Sequence, residues 1–152
     1  MLLGNKVVVE TIKKIECGTV STQTQETLAE GQELKPAPKI SKEFCFIDWS
    51  QDCQTVYNHI RGLSPYPAAH TQLVSEEGEV IEMKVFYAQI EIGKHGLPVG
   101  SVVTDNKKTL KIALRDGFIS LTKVQQAGKK AMPIDDFLRG TQLNGAWKAA
   151  LK

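Results

Sequence analysis

Val80-Ile81-Glu82-Met83-Lys84-Val85-Phe86-Tyr87-Ala88-Gln89-Ile90-Glu91-Ile92 is the stretch on which the reading of this chain turns. Ile81, Met83 and Val85 recur at a period of two, the mark of a half-buried strand. At Phe86 the phase shifts, and Phe86, Ala88, Ile90 and Ile92 take up the alternate positions. A phase shift inside one strand predicts a bulge, and bulges bend strands. A long bent strand is what lets a small sheet curl toward closure.

Outward from it, Thr71 to Gln126 reads as β throughout, in short runs rich in Val, Ile, Thr and Phe separated by turn residues. Val102-Val103 and Leu110, Ile112, Leu114 are strands joined by the turn Asp105-Asn106-Lys107-Lys108. Asp116-Gly117 is a two-residue hairpin signal of the I′ type. Pro133 at a start, Asp135 and Asp136 in the first turn and Gly140 past the end predict a short helix. About five strands, one of them long and curved, with a terminal helix, predict a mainly β protein: a small OB-like β-barrel with flanking helices, preceded by an α-helix and an extended linker.

Upstream, Asp48 followed by Gln51 resembles a capping box and Gly62 a stop, so Asp48 to Gly62 reads as a helix whose apolar stripe is Cys53, Val56, Tyr57 and Ile60. Ser64-Pro65-Tyr66-Pro67 after it is biased to extended backbone. Thr19 to about Glu43 is polar, holds Pro36 and Pro38 and has neither period, which makes it a linker. Gly4 to Glu16 sets Val8, Ile12 and Ile15 at helical spacing with Gly18 as a stop, while the β-branched run Val7 to Val9 keeps a short strand as the competing reading.

The composition excludes more than it assigns. With 152 residues, 41% of them hydrophobic and 24% charged, the chain has the profile of one ordinary soluble domain. It holds no apolar run near the roughly 20 residues needed to cross a bilayer and no basic-then-apolar segment at Met1, so the expectation is a cytoplasmic protein without a membrane partner. Cys17, Cys45 and Cys53 are odd in number and lack CxxC spacing, which argues for free thiols and against a disulfide framework or a zinc site. His59, His70 and His95 stand far apart, and there is no HExxH, GxSxG, P-loop or GxGxxG, so no catalytic, cofactor-binding or metal residue is assigned. Asp135 and Asp136 are adjacent and serve the helix dipole better than they would serve acid/base chemistry.

The net charge of +2 hides two blocks. From Ser75 to Gly93 five glutamates face only Lys84, a net of −4; from Lys94 to Lys130 eight bases face only Asp105 and Asp116, a net of +6. Lys111 and Arg115, four residues apart on a strand, fall on one face opposite Leu110, Ile112 and Leu114. Lys107 and Lys108 project from a turn, and Lys129 and Lys130 follow Gly128 in a loop. Ordinary solvated lysines on a polar sheet face are the plainer reading; contact with a phosphate backbone is the sharper one. Phe118 is the sole aromatic between Gly93 and Lys130, which favours a duplex backbone over an unpaired, stacked strand.

Three strings narrow the choice: Phe46-Ile47-Asp48-Trp49-Ser50, Ile60-Arg61-Gly62-Leu63-Ser64-Pro65-Tyr66-Pro67-Ala68-Ala69, and Gln126-Ala127-Gly128-Lys129-Lys130-Ala131-Met132 with Phe137-Leu138 beyond. In order and spacing, from roughly Gly4 to Gly140, the chain resembles the C-terminal part of the methionyl-tRNA formyltransferase family, the linker Ala37-Pro38-Lys39-Ile40-Ser41-Lys42 included. The resemblance implies a parent enzyme that formylates the amino group of methionyl initiator tRNA from 10-formyltetrahydrofolate. It also implies catalysis in an N-terminal domain carrying Asn-x-His, a distal Asp and a Ser-Leu-Leu-Pro loop. None of these is in this chain: Asn58-His59 lacks the spacer, and Gly62-Leu63-Ser64-Pro65 is a different string.

On that resemblance, residues 1–18 are the last helix of the catalytic domain, 19–46 an interdomain linker, 47–140 the OB-like C-terminal domain and 141–152 a tail. The implied role is a tRNA-binding module, inactive alone and without a cofactor of its own, whose partners are initiator methionyl-tRNA and the catalytic domain in cis. Candidate tRNA contacts are Lys107, Lys108, Lys111, Arg115, Lys129 and Lys130, of which only Lys129 and Lys130 lie inside a matching string. The alternative is a structural C-terminal domain of a related sugar or folate formyltransferase. Val8, Ile12 and Ile15, without their docking surface, are expected to pack on a barrel of the same or a neighbouring chain, a non-native homodimer included, or to stay loose.

Overall fold

The computed structural model describes residues 2–31 and 33–151. They fall into two units, one ending at Lys39 and one running on from Ile40.

The first unit holds α1 (Leu2–Glu16) and α2 (Gln25–Ala29). The helical reading of α1 holds over the strand reading, and Gly18 stops it. At φ +64 Gly18 lets its own N–H reach the Ile15 carbonyl at 3.1 Å and the Thr19 N–H reach the Lys14 carbonyl at 2.9 Å, which together occupy two orphan carbonyls. Val8, Ile12 and Ile15 are 57, 50 and 58% exposed. In the stretch expected to be featureless linker, α2 is capped by Thr24, whose side chain accepts from the Thr27 N–H.

The second unit opens with α3 (Lys42–Cys45) and α4 (Cys53–Leu63). In α4 the expected stripe is buried: Cys53, Val56 and Ile60 are at most 2% exposed, with Leu63 beside them and Tyr57 packed at the margin. Burying each such aliphatic side chain stabilises the unit by roughly 1.5–3 kcal/mol. The start of the helix differs from the expectation. Asp52, not Asp48, is the N-cap and accepts from the Thr55 N–H at 2.9 Å. Asp48 instead closes a turn on Ser50, taking its N–H at 3.0 Å and its hydroxyl at 2.6 Å. Trp49, between them, is fully buried and donates its indole N–H to Thr71 Oγ1 at 2.9 Å, so the Asp-Trp-Ser string is architectural.

The rest is β1 (Ala69–Ser75), β2 (Val80–Ile92), β3 (Val102–Thr104), β4 (Leu110–Leu114), β5 (Gly117–Gln126), β6 (Met132–Pro133), α5 (Ile134–Gly140) and β7 (Trp147–Ala149). They make one antiparallel sheet in the order β3-β4-β5-β2-β1-β7, with β6 on β5. The bulge expected in β2 is present. Its pairing to β5 slips between Val85 and Ala88, which returns Ala88 and Ile90 to the core side on which Ile81, Met83 and Val85 lie buried.

The sheet nearly closes into a barrel through the segment expected to be a tail. There β7 pairs with β1, Ser101 and Lys148 bridge, and the Ala149 N–H donates to the Gly100 carbonyl at 2.7 Å. Leu143, Trp147 and Ala149 are buried, so residues 141–151 complete the core. The strand count is seven, against the five expected, because two strands are only two or three residues long.

Candidate nucleic-acid interface

The β3–β4 turn is built around Asp105, whose Oδ1 accepts from the N–H groups of Lys107, Lys108 and Thr109 at 2.9, 2.8 and 2.9 Å. Those three bonds hold the carboxyl well below the usual carboxylate range. Asn106, at φ +54, locks the turn to the loop after α5 by two bonds with Leu143. The aspartate is thus occupied by backbone, and the ammonium groups of Lys107 and Lys108 are exposed.

The β5–β6 turn is the other basic loop. The Lys129 N–H closes it on the Gln126 carbonyl at 3.0 Å, with Gly128 at φ +76 in the position that favours glycine. Gln125 Nε2 donates to the Lys129 carbonyl at 2.7 Å. Lys129 and Lys130 are exposed. Because β4 and β5 are antiparallel with Lys111 opposite Ser120, the start of β4 and the end of β5 share one end of the sheet. Lys107, Lys108, Lys129 and Lys130 therefore belong to the same end, and among the described residues none of the four makes an ion pair.

Lys111 and Arg115 do not join them. Lys111 Nζ lies 2.6 Å from Glu91 Oε2 on β2, half-buried, so its charge is already neutralised. Arg115 is past the strand, in the β4–β5 hairpin at the opposite end, 3.9 Å from Asp52 Oδ2. The two do not form the one-face pair expected from their spacing. The hairpin is also one residue earlier than expected: its turn residues are Arg115 and Asp116, since Leu114 pairs with Gly117. Gly117 is required by packing, because a Cβ there would run into the Glu91 carbonyl oxygen and stand 2.9 Å from the Ile92 Cα. Asp116 reaches across to the start of α4 and accepts from the Cys53 N–H at 3.0 Å. Burial, reinforced by Asp116, pushes the Cys53 thiol up to about 12, so it is an inert core group.

Several groups near the basic end went unnoticed in the sequence. Lys123 lies 5.8 Å from the centroid of the Tyr87 ring, and Arg61 the same distance from that of Tyr57. Tyr57, Arg61, Phe86 and Tyr87 line a common recess, which adds aromatic surface that the interval Gly93 to Lys130 lacks. A larger groove of about 350 Å³ opens beside the β5–β6 turn and is lined by Phe46, His70, Lys84, Gln125 and Gln126 among others. The available signal was the bulged β2 pattern, but the rows across the sheet follow from register, which periodicity does not fix.

Of the other histidines, His95 Nε2 lies 3.0 Å from the Gly117 carbonyl with its ring on Phe118, and His59 lies on Phe44. Among the described residues no group of three His, Cys, Asp or Glu side chains could hold a metal ion, and no helix is long and apolar enough to cross a membrane.

Comparison with known proteins agrees with this architecture. The family model described as formyl transferase, C-terminal domain, matches residues 39–142. The methionyl-tRNA formyltransferase of Bacteroides thetaiotaomicron is 50% identical over 148 residues, 97% of this chain and 46% of that protein. That of Bacteroides fragilis is 47% identical over the same share, and that of Flavobacterium johnsoniae 39% identical over 92% of this chain and 43% of its own length. The chain spans a little under half the length of these curated relatives. Among solved structures, a variant of HypX from Aquifex aeolicus superposes with a TM-score of 0.60 at 23% identity over 92% of this chain and 24% of that one, a likeness of fold.

Proposed function

This chain belongs to the formyl transferase C-terminal domain family, and from that premise we propose that it is the tRNA-binding C-terminal part of a methionyl-tRNA formyltransferase. The observation that carries the reading is the set of four exposed lysines without acid partners, Lys107, Lys108, Lys129 and Lys130, at one end of the barrel. Each is a compact charge on a flexible stem, suited to phosphate oxygens and indifferent to base identity. The Gln126 to Met132 string and the relatives named as methionyl-tRNA formyltransferases favour this over a sugar or folate formyltransferase.

In this reading formyl transfer from 10-formyltetrahydrofolate to the methionine amino group is carried out in cytoplasm by a catalytic domain in cis. The present chain contributes to the reaction by holding the tRNA body, so that the acceptor end meets the active site as an intramolecular event. The exposed stripe Val8, Ile12 and Ile15 of α1 is the surface that packs on that catalytic domain.

Gel retardation of initiator tRNA by this chain over a salt series tests the proposal. Retention at low salt should fall with a log–log slope of about −0.7 to −0.9 per phosphate neutralised. The Lys129→Glu/Lys130→Glu variant should bind more weakly with unchanged thermal stability. Absence of retardation at low salt, or normal binding by that variant, overturns the reading.

A further inference from the structure

The groove beside the β5–β6 turn is assembled from residues far apart in sequence. Phe46 bridges His70, His70 pairs with Lys84 across β1 and β2, and Lys84 pairs with Gln125 across β2 and β5. Side chains paired directly across a sheet share a face, so these four form one row. Gln126, Ala127 and Gly128 continue the wall into the turn that carries Lys129 and Lys130. The acid of the lining, Glu82, accepts from Gln72 Nε2 at 3.0 Å. A volume of about 350 Å³ is at the small end of the ~300–1,000 Å³ range of ligand pockets.

Two polar atoms in this lining, His70 Nε2 and Gln126 Oε1, are buried and have no hydrogen-bond partner. Buried polar groups are nearly always satisfied, and exceptions ask for a ligand or a water. Burial first, and the Lys84 charge second, hold the His70 imidazole below its ordinary value and therefore neutral near pH 7. Its hydrogen bond to the Pro67 backbone opposes that shift, and a carbonyl can only accept, so the ring proton is on Nδ1 and Nε2 presents a lone pair. Two acceptors thus await N–H donors in a recess with an aromatic wall, and the Gln126 amide group completes a donor beside one of them.

We propose that this groove receives a single nucleobase bearing an amino group next to a ring nitrogen, adenine or cytosine, with its phosphate on Lys129 and Lys130. A glutamine amide matches that edge with two bonds, its oxygen taking the amino group and its nitrogen the ring acceptor. His70 Nε2 takes the second amino hydrogen, and Phe46 offers stacking area. Uracil has no amino group and leaves one acceptor empty. The base belongs to a tRNA if the function proposed above is right, and in that sense this inference rests on it; a free nucleotide would present the same chemistry.

The test uses the full chain, isotope-labelled, titrated with AMP, CMP and UMP by NMR at low salt. AMP and CMP should shift the His70 ring and Gln126 amide resonances and bind at least about fivefold more tightly than UMP. Gln126→Met should remove that preference, whereas Lys129→Glu/Lys130→Glu should weaken all three nucleotides alike. Equal binding of the three, shifts confined to residues outside the groove, or no binding by any of them overturns the proposal. Retardation of tRNA is measured in parallel. Nucleotide discrimination without tRNA retardation would overturn the tRNA reading and leave the base pocket standing; tRNA retardation with no nucleotide discrimination would do the reverse.

Discussion

The two turns that bracket β4 hold the same ingredients, an aspartate beside basic side chains, and use them in opposite ways. In the β3–β4 turn Asp105 folds inward onto three backbone N–H groups of its own loop, so Lys107 and Lys108 keep their full charge for solvent. In the β4–β5 turn Asp116 reaches outward to the Cys53 N–H of α4 and Arg115 leans toward Asp52, so the charges serve the junction of hairpin and helix. A formal count treats the two turns alike. Availability of charge depends on where the nearest carboxylate points, and that is a property of the fold.

Four substitutions would break or sharpen this contrast. The largest effect should come from Gly117→Ala, since the added methyl collides with β2 backbone that cannot swing aside. A loss of about 3 kcal/mol or more is expected in denaturant unfolding, against near-neutral behaviour for Gly78→Ala's exposed counterpart of open space, Gly140→Ala. Next, Asp116→Ala removes the acceptor from the start of α4 and should cost about 1–2 kcal/mol, with tRNA retardation unchanged once the protein is folded.

At the other turn the expected signature is in binding. Lys107→Ala/Lys108→Ala should leave the melting temperature within a degree or two while lowering the magnitude of the salt slope for tRNA by about 2, roughly one per lysine. Arg115→Ala should leave that slope unchanged, and an equal loss from both variants would erase the distinction between the turns. The smallest effect is that of Asp105→Ala, which should lower the melting temperature at neutral pH. Because the folded carboxyl titrates below its unfolded value of about 3.9, its contribution is present above that pH and fades as the pH falls below it. The variant and the parent should therefore converge on acidification; a gap that stays constant to low pH would assign the effect to something other than the ionised carboxylate.

Much of the core was legible because amphipathic periods report burial directly. The stripe of α4 and the phase shift of β2 both rest on large apolar residues whose exclusion from water dominates any local preference. Local chemistry was less decisive where two residues offered the same service. Asp48 and Asp52 can each cap a helix, and the choice fell to Asp52 because Asp48 is engaged by Ser50. At the hairpin the glycine was read as a turn residue, yet Gly117 is the first residue of β5 and is small because β2 passes against it.

The strand β7 lay beyond periodicity altogether. Three residues, Trp147-Lys148-Ala149, carry no pattern of their own, and only the open edge of β1 and the bridge to Ser101 give them a conformation. The six basic candidates were likewise equivalent in the sequence. Register then divided them into four that stand together and two that are held, one by Glu91 and one at the far end of the sheet.

What the sequence by itself determined is the set of elements, the buried faces and the family resemblance, since these follow from side-chain hydrophobicity and from strings of adjacent residues. Barrel closure by β7, the pairing of Lys111 with Glu91, and the groove that gathers Phe46, His70, Lys84 and Gln126 were decided by tertiary structure alone. Each depends on strand register and on contacts between residues tens of positions apart, and a one-residue slip of any strand would have sent the same side chains to opposite faces.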